Sequence, residues 1–270
     1  MKLTAENYYS PEANLHYVDY STTKDFCGTC GRKGCECRAL ATARGEYIRP
    51  KSKALLVGGY VDAYFDGSLD AFKAENPDCF KRDGELKADF IQANIMIERA
   101  MREPLFRRYT EGETQVILTA EIAGVPVRVK LDSYDGNRIT DIKTAASMTQ
   151  TYYAADLGER LSFVDYFDYV SQAFFYTEAV RQNFNKDLPF YLAVITKEKE
   201  ENTPHPRVGI IHIPSSKIEE KRREVEINVQ KVWALLHEDI APIPCGTCAW
   251  CADNLPLERV ISMDELLLSV

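Results

Sequence analysis

No apolar run in this chain of 270 residues reaches the roughly 18 residues that a membrane-spanning helix requires. The opening stretch, MKLTAENYYSPEAN, lacks the apolar segment of a secretory signal. Both absences predict a cytoplasmic protein with no membrane partner. Internal repeats and low-complexity tracts are missing as well. With 45% hydrophobic and 27% charged residues, the composition excludes a collagen-like, mucin-like or mainly disordered chain. A basic excess is also absent: the net charge is −8, which argues against non-specific coating of nucleic acid but leaves room for a local basic groove. Histidine is scarce. The four present, His16, His205, His212 and His237, are scattered, and none is assigned a catalytic role. The length suits one large domain or two small ones.

Cysteine, in contrast, is plentiful and unevenly placed. Cys27, Cys30, Cys35 and Cys37 lie near the start, Cys245, Cys248 and Cys251 near the end, and Cys79 alone between them. A reducing cytoplasm disfavours structural disulfides, and clustering at both ends suggests metal or cluster ligation. Cys245, Cys248 and Cys251 form C-x-x-C-x-x-C. Three thiolates at this spacing can converge on one centre, but a tetrahedral zinc or a four-iron cluster needs a fourth.

Between the two cysteine regions, periodicity predicts helices over 54–65 and 85–101, then strands over 114–122, 125–131 and 138–142. A helix over 165–181, strands over 190–195 and 208–213, and a long helix over 217–237 complete the order. Ala123-Gly124 and Gly136-Asn137 are the expected hairpin turns. This order predicts an α/β or α+β fold with a mixed sheet.

The stretch VKLDSYDGNRITDIKTA (129–145) is the most informative. With Gly136-Asn137 as a two-residue loop, Tyr134 pairs with Ile139, Ser133 with Thr140 and Asp132 with Asp141. Two carboxylates would then face each other about 5 Å apart, a repulsion that a divalent cation removes. Lys143, two residues beyond Asp141, shares its face and could orient or deprotonate a water in metal-assisted phosphodiester hydrolysis. An Asp/Asp/Lys set on a solvated hairpin face is also common without any such role.

Asp132 followed by Asp141-Ile142-Lys143 resembles the core of PD-(D/E)XK nucleases. Four further stretches resemble the RecE-type phage exonucleases of that superfamily: LLVGGYVDAYFDG (55–67), GELKADF (84–90), QAFFY (172–176) and CGTCAWC (245–251), with GVPVRVKLD (124–132) leading into the core. The resemblance implies that Asp132, Asp141 and the Ile142 carbonyl hold Mg²⁺ or Mn²⁺ and that Lys143 is catalytic. Asp62 stands where many relatives carry a metal-binding histidine. Gln172 and Tyr176 match a Q-x-x-x-Y motif that helps hold DNA and the site together. Glu113 is a weaker candidate for a further ligand. AddB-type and CRISPR-adaptation nucleases take one cluster cysteine from before the core and three from after it. Here CECRALA (35–41) matches their lone upstream position at Cys35. The implied set is therefore Cys35, Cys245, Cys248 and Cys251 around a 4Fe-4S cluster, with Zn²⁺ as the alternative. A separate zinc knuckle from Cys27 and Cys30 with Cys35 or Cys37 stays open.

The expected architecture is a PD-(D/E)XK restriction-endonuclease-like core at 46–240, between a cysteine-rich segment at 1–45 and a cysteine-cluster segment at 241–270, with a cysteine-ligated metal centre joining the ends. The expected activity is metal-dependent DNA exonuclease, resecting duplex ends for a phage single-strand annealing protein in a bacterial or phage-infected cell. Ring-forming relatives imply a homo-oligomer. The alternatives are a CRISPR-adaptation-like or single-strand-specific iron–sulfur nuclease, and a degenerate cysteine-stapled DNA-binding or scaffold protein.

Overall fold

The computed structural model describes residues 1–257, 260 and 262–264; of the expected segment 241–270, residues 258, 259, 261 and 265–270 lie outside the described residues. Helix α1 (Tyr20–Cys27) starts at Asp19, whose side chain accepts the Thr22 N–H. Helix α2 (Glu36–Ala43) starts at Cys35. Helix α3 (Lys53–Phe65) starts at Ser52, whose hydroxyl accepts the Leu55 N–H, and the chain turns away at Gly67, where φ is 78°. Helix α4 (Ala88–Met101) follows. Strands β1 (Glu113–Ile122), β2 (Val125–Tyr134) and β3 (Ile139–Ala145) come next. Ala123 and Gly124 between β1 and β2 both have positive φ, 50° and 80°, the conformation whose twist suits a two-residue hairpin. Helix α5 (Tyr169–Phe184), strands β4 (Phe190–Thr196) and β5 (Val208–Ile213), and helices α6 (Arg222–Leu236) and α7 (Ala249–Asn254) complete the frame.

The five strands form one sheet in the order β5-β4-β3-β2-β1. Only β3 and β4 run parallel, so the sheet is mixed, as the sequence predicts. Strand β4 is apolar along its length because both its faces are covered. Leu192 and Val194 pack with Phe26, Leu40, Phe174 and Val229 from α1, α2, α5 and α6. Ala193 and Ile195 pack with Val57, Val61, Ala93 and Ile97 from α3 and α4. The N-terminal segment is fastened to β2 by Arg128, 1% exposed, whose guanidinium donates to Asp19 Oδ2 and to Asn14 Oδ1. Among the described residues, no helix is long and apolar enough to cross a membrane.

Two expected helices are each divided. The segment 165–181 begins inside a short helical turn, Phe163–Tyr166, passes Asp168 in the left-handed region at φ 56°, and enters α5. The segment 217–237 begins inside the short helix Ser215–Glu220, breaks at Lys221 and continues as α6. Lys221 joins the two breaks, reaching Asp168 at 3.3 Å and Glu224 at 2.8 Å. The apolar period continues across each break, so periodicity alone does not register it. In the run Lys221-Arg222-Arg223, Lys221 is committed to this junction and Arg222 pairs with Glu219 at 2.6 Å.

Candidate functional site

The β2–β3 hairpin turns at Gly136, where φ is 79°. Asp135 closes it, accepting the N–H groups of Asn137 and Arg138 at 2.9 Å and ion-pairing with the Arg138 guanidinium at 2.6 Å. Tyr134 faces Ile139 and Ser133 faces Thr140, the predicted register. The ladder then stops. The backbone pairing does not continue to Asp132 and Asp141; instead, the Asp132 carboxylate accepts the Ile142 N–H at 2.9 Å. A side chain has taken over a main-chain bond, which keeps that donor satisfied while the two strands part at the point where like charges would meet.

The acids do not lie on a solvated face. Asp141 is 1% exposed. Its Oδ1 accepts the Gln172 Nε2–H at 2.8 Å, and the same Nε2 donates to the Tyr176 hydroxyl at 3.0 Å. The i, i+4 spacing on α5 therefore presents one connected pair to β3. Lys143 Nζ ion-pairs with Asp141 Oδ2 and stands 5.2 Å from the centre of the Tyr169 ring. Ile142, between them, buries its side chain under α3 and α4.

Asp62 reaches the same place from α3. Burial raises its carboxyl to about 7, with Lys143 opposing and Asp141 adding to the shift. Burial and then Asp141 push Asp132 well above the carboxylate range. For Lys143, burial opposes the charged form, but Asp141 and Asp132 outweigh it and keep the ammonium charged. Burial, and then the negative charges of Asp141 and Asp132, hold the Tyr176 hydroxyl protonated. The structure thus brings Asp62, Asp132, Asp141, Ile142, Lys143, Gln172 and Tyr176 together. Glu113 is not among them: it is exposed and faces Tyr134 at the start of β1. Lys24 on α1 is a neighbour that the sequence did not single out, and Tyr169 is a neighbour that the sequence reads as core. The Lys24 ammonium is lowered by burial and then by Lys143, and no local pattern in α1 marks it. A groove of about 470 Å³ bordered by Phe174, Glu178, Arg181 and Arg222 touches none of these acids.

A divalent cation fits this donor set. Three carboxylates surround one lysine, and the buried Gln172 Oε1 receives no hydrogen bond. An unpartnered buried acceptor costs about 1–3 kcal/mol, and hard oxygen donors suit Mg²⁺ or Mn²⁺. Asp62, Asp132 and Asp141 do not all bring an oxygen within 4.8 Å of one another, as the four cysteine sulfurs are brought.

This charge arrangement has a measurable consequence. Asp62 binds its proton more tightly in the folded state, about 7, than in an unfolded chain, ~3.9. Metal-free stability therefore falls as pH rises from ~4 through ~7, and the raised Asp132 acts with the same sign. Asp132→Asn removes one buried charge and keeps an oxygen for the Ile142 N–H. At pH 8 the metal-free variant should melt at or above the wild-type temperature, with the difference shrinking toward pH 4. A clearly lower melting temperature at pH 8 would contradict the repulsion.

The second centre joins the ends of the described chain. Cys35, Cys245, Cys248 and Cys251 place their sulfurs within 4.8 Å of one another. This is the set implied by the resemblance, and it leaves Cys27, Cys30 and Cys37 outside. Cys35 and Cys251 are buried. Gly246, at φ 73°, turns the chain between Cys245 and Cys248, and Cys248 opens α7. Burial opposes ionisation of Cys245, but backbone N–H groups of Thr247 and Cys248 lower it to about 6. The segment is docked by Glu36, whose carboxylate accepts the Ile243 N–H at 2.8 Å and pairs with Lys231 at 2.7 Å. Cys37 turns its thiol to the Pro242 carbonyl at 3.5 Å. Burial raises Cys27 to about 11.

A protein from Eubacterium rectale, provisionally named an exonuclease and solved by crystallography at 2.19 Å, is 41% identical to this chain. The match covers 100% of both chains with a TM-score of 0.94. No curated protein matches. The PDDEXK-like domain of unknown function DUF3799 matches residues 20–254, nearly the whole described fold, and the chain belongs to this PDDEXK-like family.

Proposed function

We propose that this protein is a divalent-metal-dependent deoxyribonuclease of the RecE-like exonuclease type. The observation that carries the proposal is the meeting of Asp62, Asp132, Asp141 and Lys143, with the buried Asp141 carboxylate held by Gln172 on one oxygen and by Lys143 on the other. Asp62, Asp132, Asp141 and the Ile142 carbonyl would hold Mg²⁺ or Mn²⁺. The bound cation would neutralise charge on the scissile phosphodiester and activate water. Lys143 supplies a charged donor to the attacking water or a phosphate oxygen, stabilising the negative charge that grows in the transition state. Gln172 fixes Asp141 through Oδ1, and Tyr176 fixes Gln172. The provisional name of the Eubacterium rectale protein and the motif order support exonuclease action on duplex ends. In a bacterial or phage-infected cell the resected strand would pass to a phage single-strand annealing protein, and the ring-forming relatives support a homo-oligomer.

The test is degradation of 5′-labelled duplex and single-stranded DNA with Mg²⁺, Mn²⁺ or a chelator. Progressive shortening of the duplex, dependent on the cation, is the expected result. Preference for single strands would favour the CRISPR-adaptation-like alternative, and inertness with every cation would favour a scaffold. Binding should also weaken steeply with salt despite the net charge of −8. Lys24, Arg32, Lys130 and Lys143 surround the acids or their neighbours. Neutralising about three phosphates would give a log–log slope of about −3. A flat salt dependence would exclude a phosphate-tracking groove.

A further inference from the structure

We propose that the four-cysteine centre holds a single Zn²⁺ ion, in place of the 4Fe-4S cluster that its sequence pattern suggests. The inference rests on sulfur geometry and is independent of the nuclease proposal. The Sγ atoms of Cys35 and Cys251 are 3.6 Å apart, those of Cys245 and Cys251 are 3.9 Å apart, and all four lie within 4.8 Å of one another. Around one tetrahedral zinc, with Zn–S bonds of ~2.3 Å, neighbouring sulfurs are ~3.8 Å apart. In a four-iron cluster each thiolate binds a different iron and points outward from the cube, so the sulfurs stand roughly 6.4 Å apart. Every pair here is too close for that arrangement, and the eight atoms of the inorganic core would occupy the space where the thiols converge.

One side-chain rotation does not open the site. All four sulfurs would have to retreat, and the elements bearing them are fastened together. Cys35 heads α2, and Cys251 is buried in α7 against it. The chain leading to Cys245 is held to α2 by the Glu36–Ile243 hydrogen bond, with Lys231 of α6 on the other oxygen of Glu36. Cys37, the nearest additional thiol, is turned to Pro242, so the ligand count is four. Four protein ligands close the coordination shell and leave no open position, as in structural zinc sites. The ion would therefore fix the fold and take no part in hydrolysis.

The full chain should be expressed in cells supplied with both iron and zinc, purified without oxygen, and assayed for zinc, iron and acid-labile sulfide. About one zinc per chain, a colourless solution and negligible iron and sulfide are expected. Replacing zinc with Co²⁺ should give the visible bands of a tetrahedral thiolate site. Cys248→Ser should lose the zinc, whereas the Cys27→Ser, Cys30→Ser double variant should retain about one per chain. If Cys248→Ser does not fold, wild-type metal content and the double variant decide the matter. A brown protein with roughly four irons and four sulfides per chain would overturn the proposal. So would a folded, metal-free wild type, or loss of zinc from the double variant. These assays use neither DNA nor Mg²⁺, so failure of the nuclease proposal would leave their outcome unchanged.

Discussion

Asp141→Asn should lower DNA cleavage by about 10³-fold or more while leaving the protein folded. Loss of a single preorganised electrostatic contact to a transition state costs roughly 10²–10³-fold. Here the substitution also removes the charge that would hold the cation and the partner of Lys143. Asparagine is the informative replacement because Asp141 is 1% exposed. Alanine would leave a cavity and strand the Gln172 amide, confounding catalysis with folding. Asparagine retains the shape and an oxygen for Gln172 Nε2. Lys143→Met, which keeps much of the apolar stem, should cost about 10²-fold or more. Gln172→Ala should have a smaller effect, about 10-fold, because it acts by positioning Asp141. Single-turnover rates at saturating Mn²⁺, alongside thermal melts, separate these effects. Wild-type cleavage by Asp141→Asn would remove β3 from the active site altogether.

The hairpin shows why the site was only partly legible in the sequence. Turn chemistry and alternation were enough to set the Tyr134–Ile139 and Ser133–Thr140 pairs, because both are local. The departure at Asp132 depends on a cross-strand side-chain bond to Ile142, and alternation carries no information about where a ladder gives way. Burial of Asp141 has a similar origin. It comes from α5 lying across the hairpin, roughly thirty residues on in the chain; local polarity alone suggested a solvated face. Lys24 is more distant still, brought near Lys143 by the packing of α1. The helix breaks at Asp168 and Lys221 escaped notice because the apolar period survives them. Four cysteines could be matched by motif because ligands must converge whatever the intervening fold. Their sulfur spacing, which bears on the metal, is a property of the folded backbone alone.

Removing the metal from the cysteine centre should lower the melting temperature by about 10–20 °C. Cys35 and Cys251 are 216 residues apart in sequence, so a common ligand closes a loop over nearly the whole chain. By the chain-entropy relation used for covalent cross-links, such closure contributes about 5 kcal/mol. For a protein of this size each kcal/mol corresponds to ~2–4 °C. Ligation also draws four thiols together at the contact between α2 and α7, beside the Glu36 hydrogen bond that holds Ile243 to α2. Amide exchange should therefore rise first in α2 and α7, ahead of the β2–β4 core, because the ends can open locally without unfolding the sheet. The measurement is a melt after treatment with a thiophilic-metal chelator, with Mg²⁺ restored so that the acidic site is not the variable. Cys248→Ser should reproduce the shift, and Cys30→Ser should not. An unchanged melting temperature in chelated protein confirmed to be metal-free would mean that burial of α7 alone holds the ends together. The cysteine centre would then not be the staple of this fold.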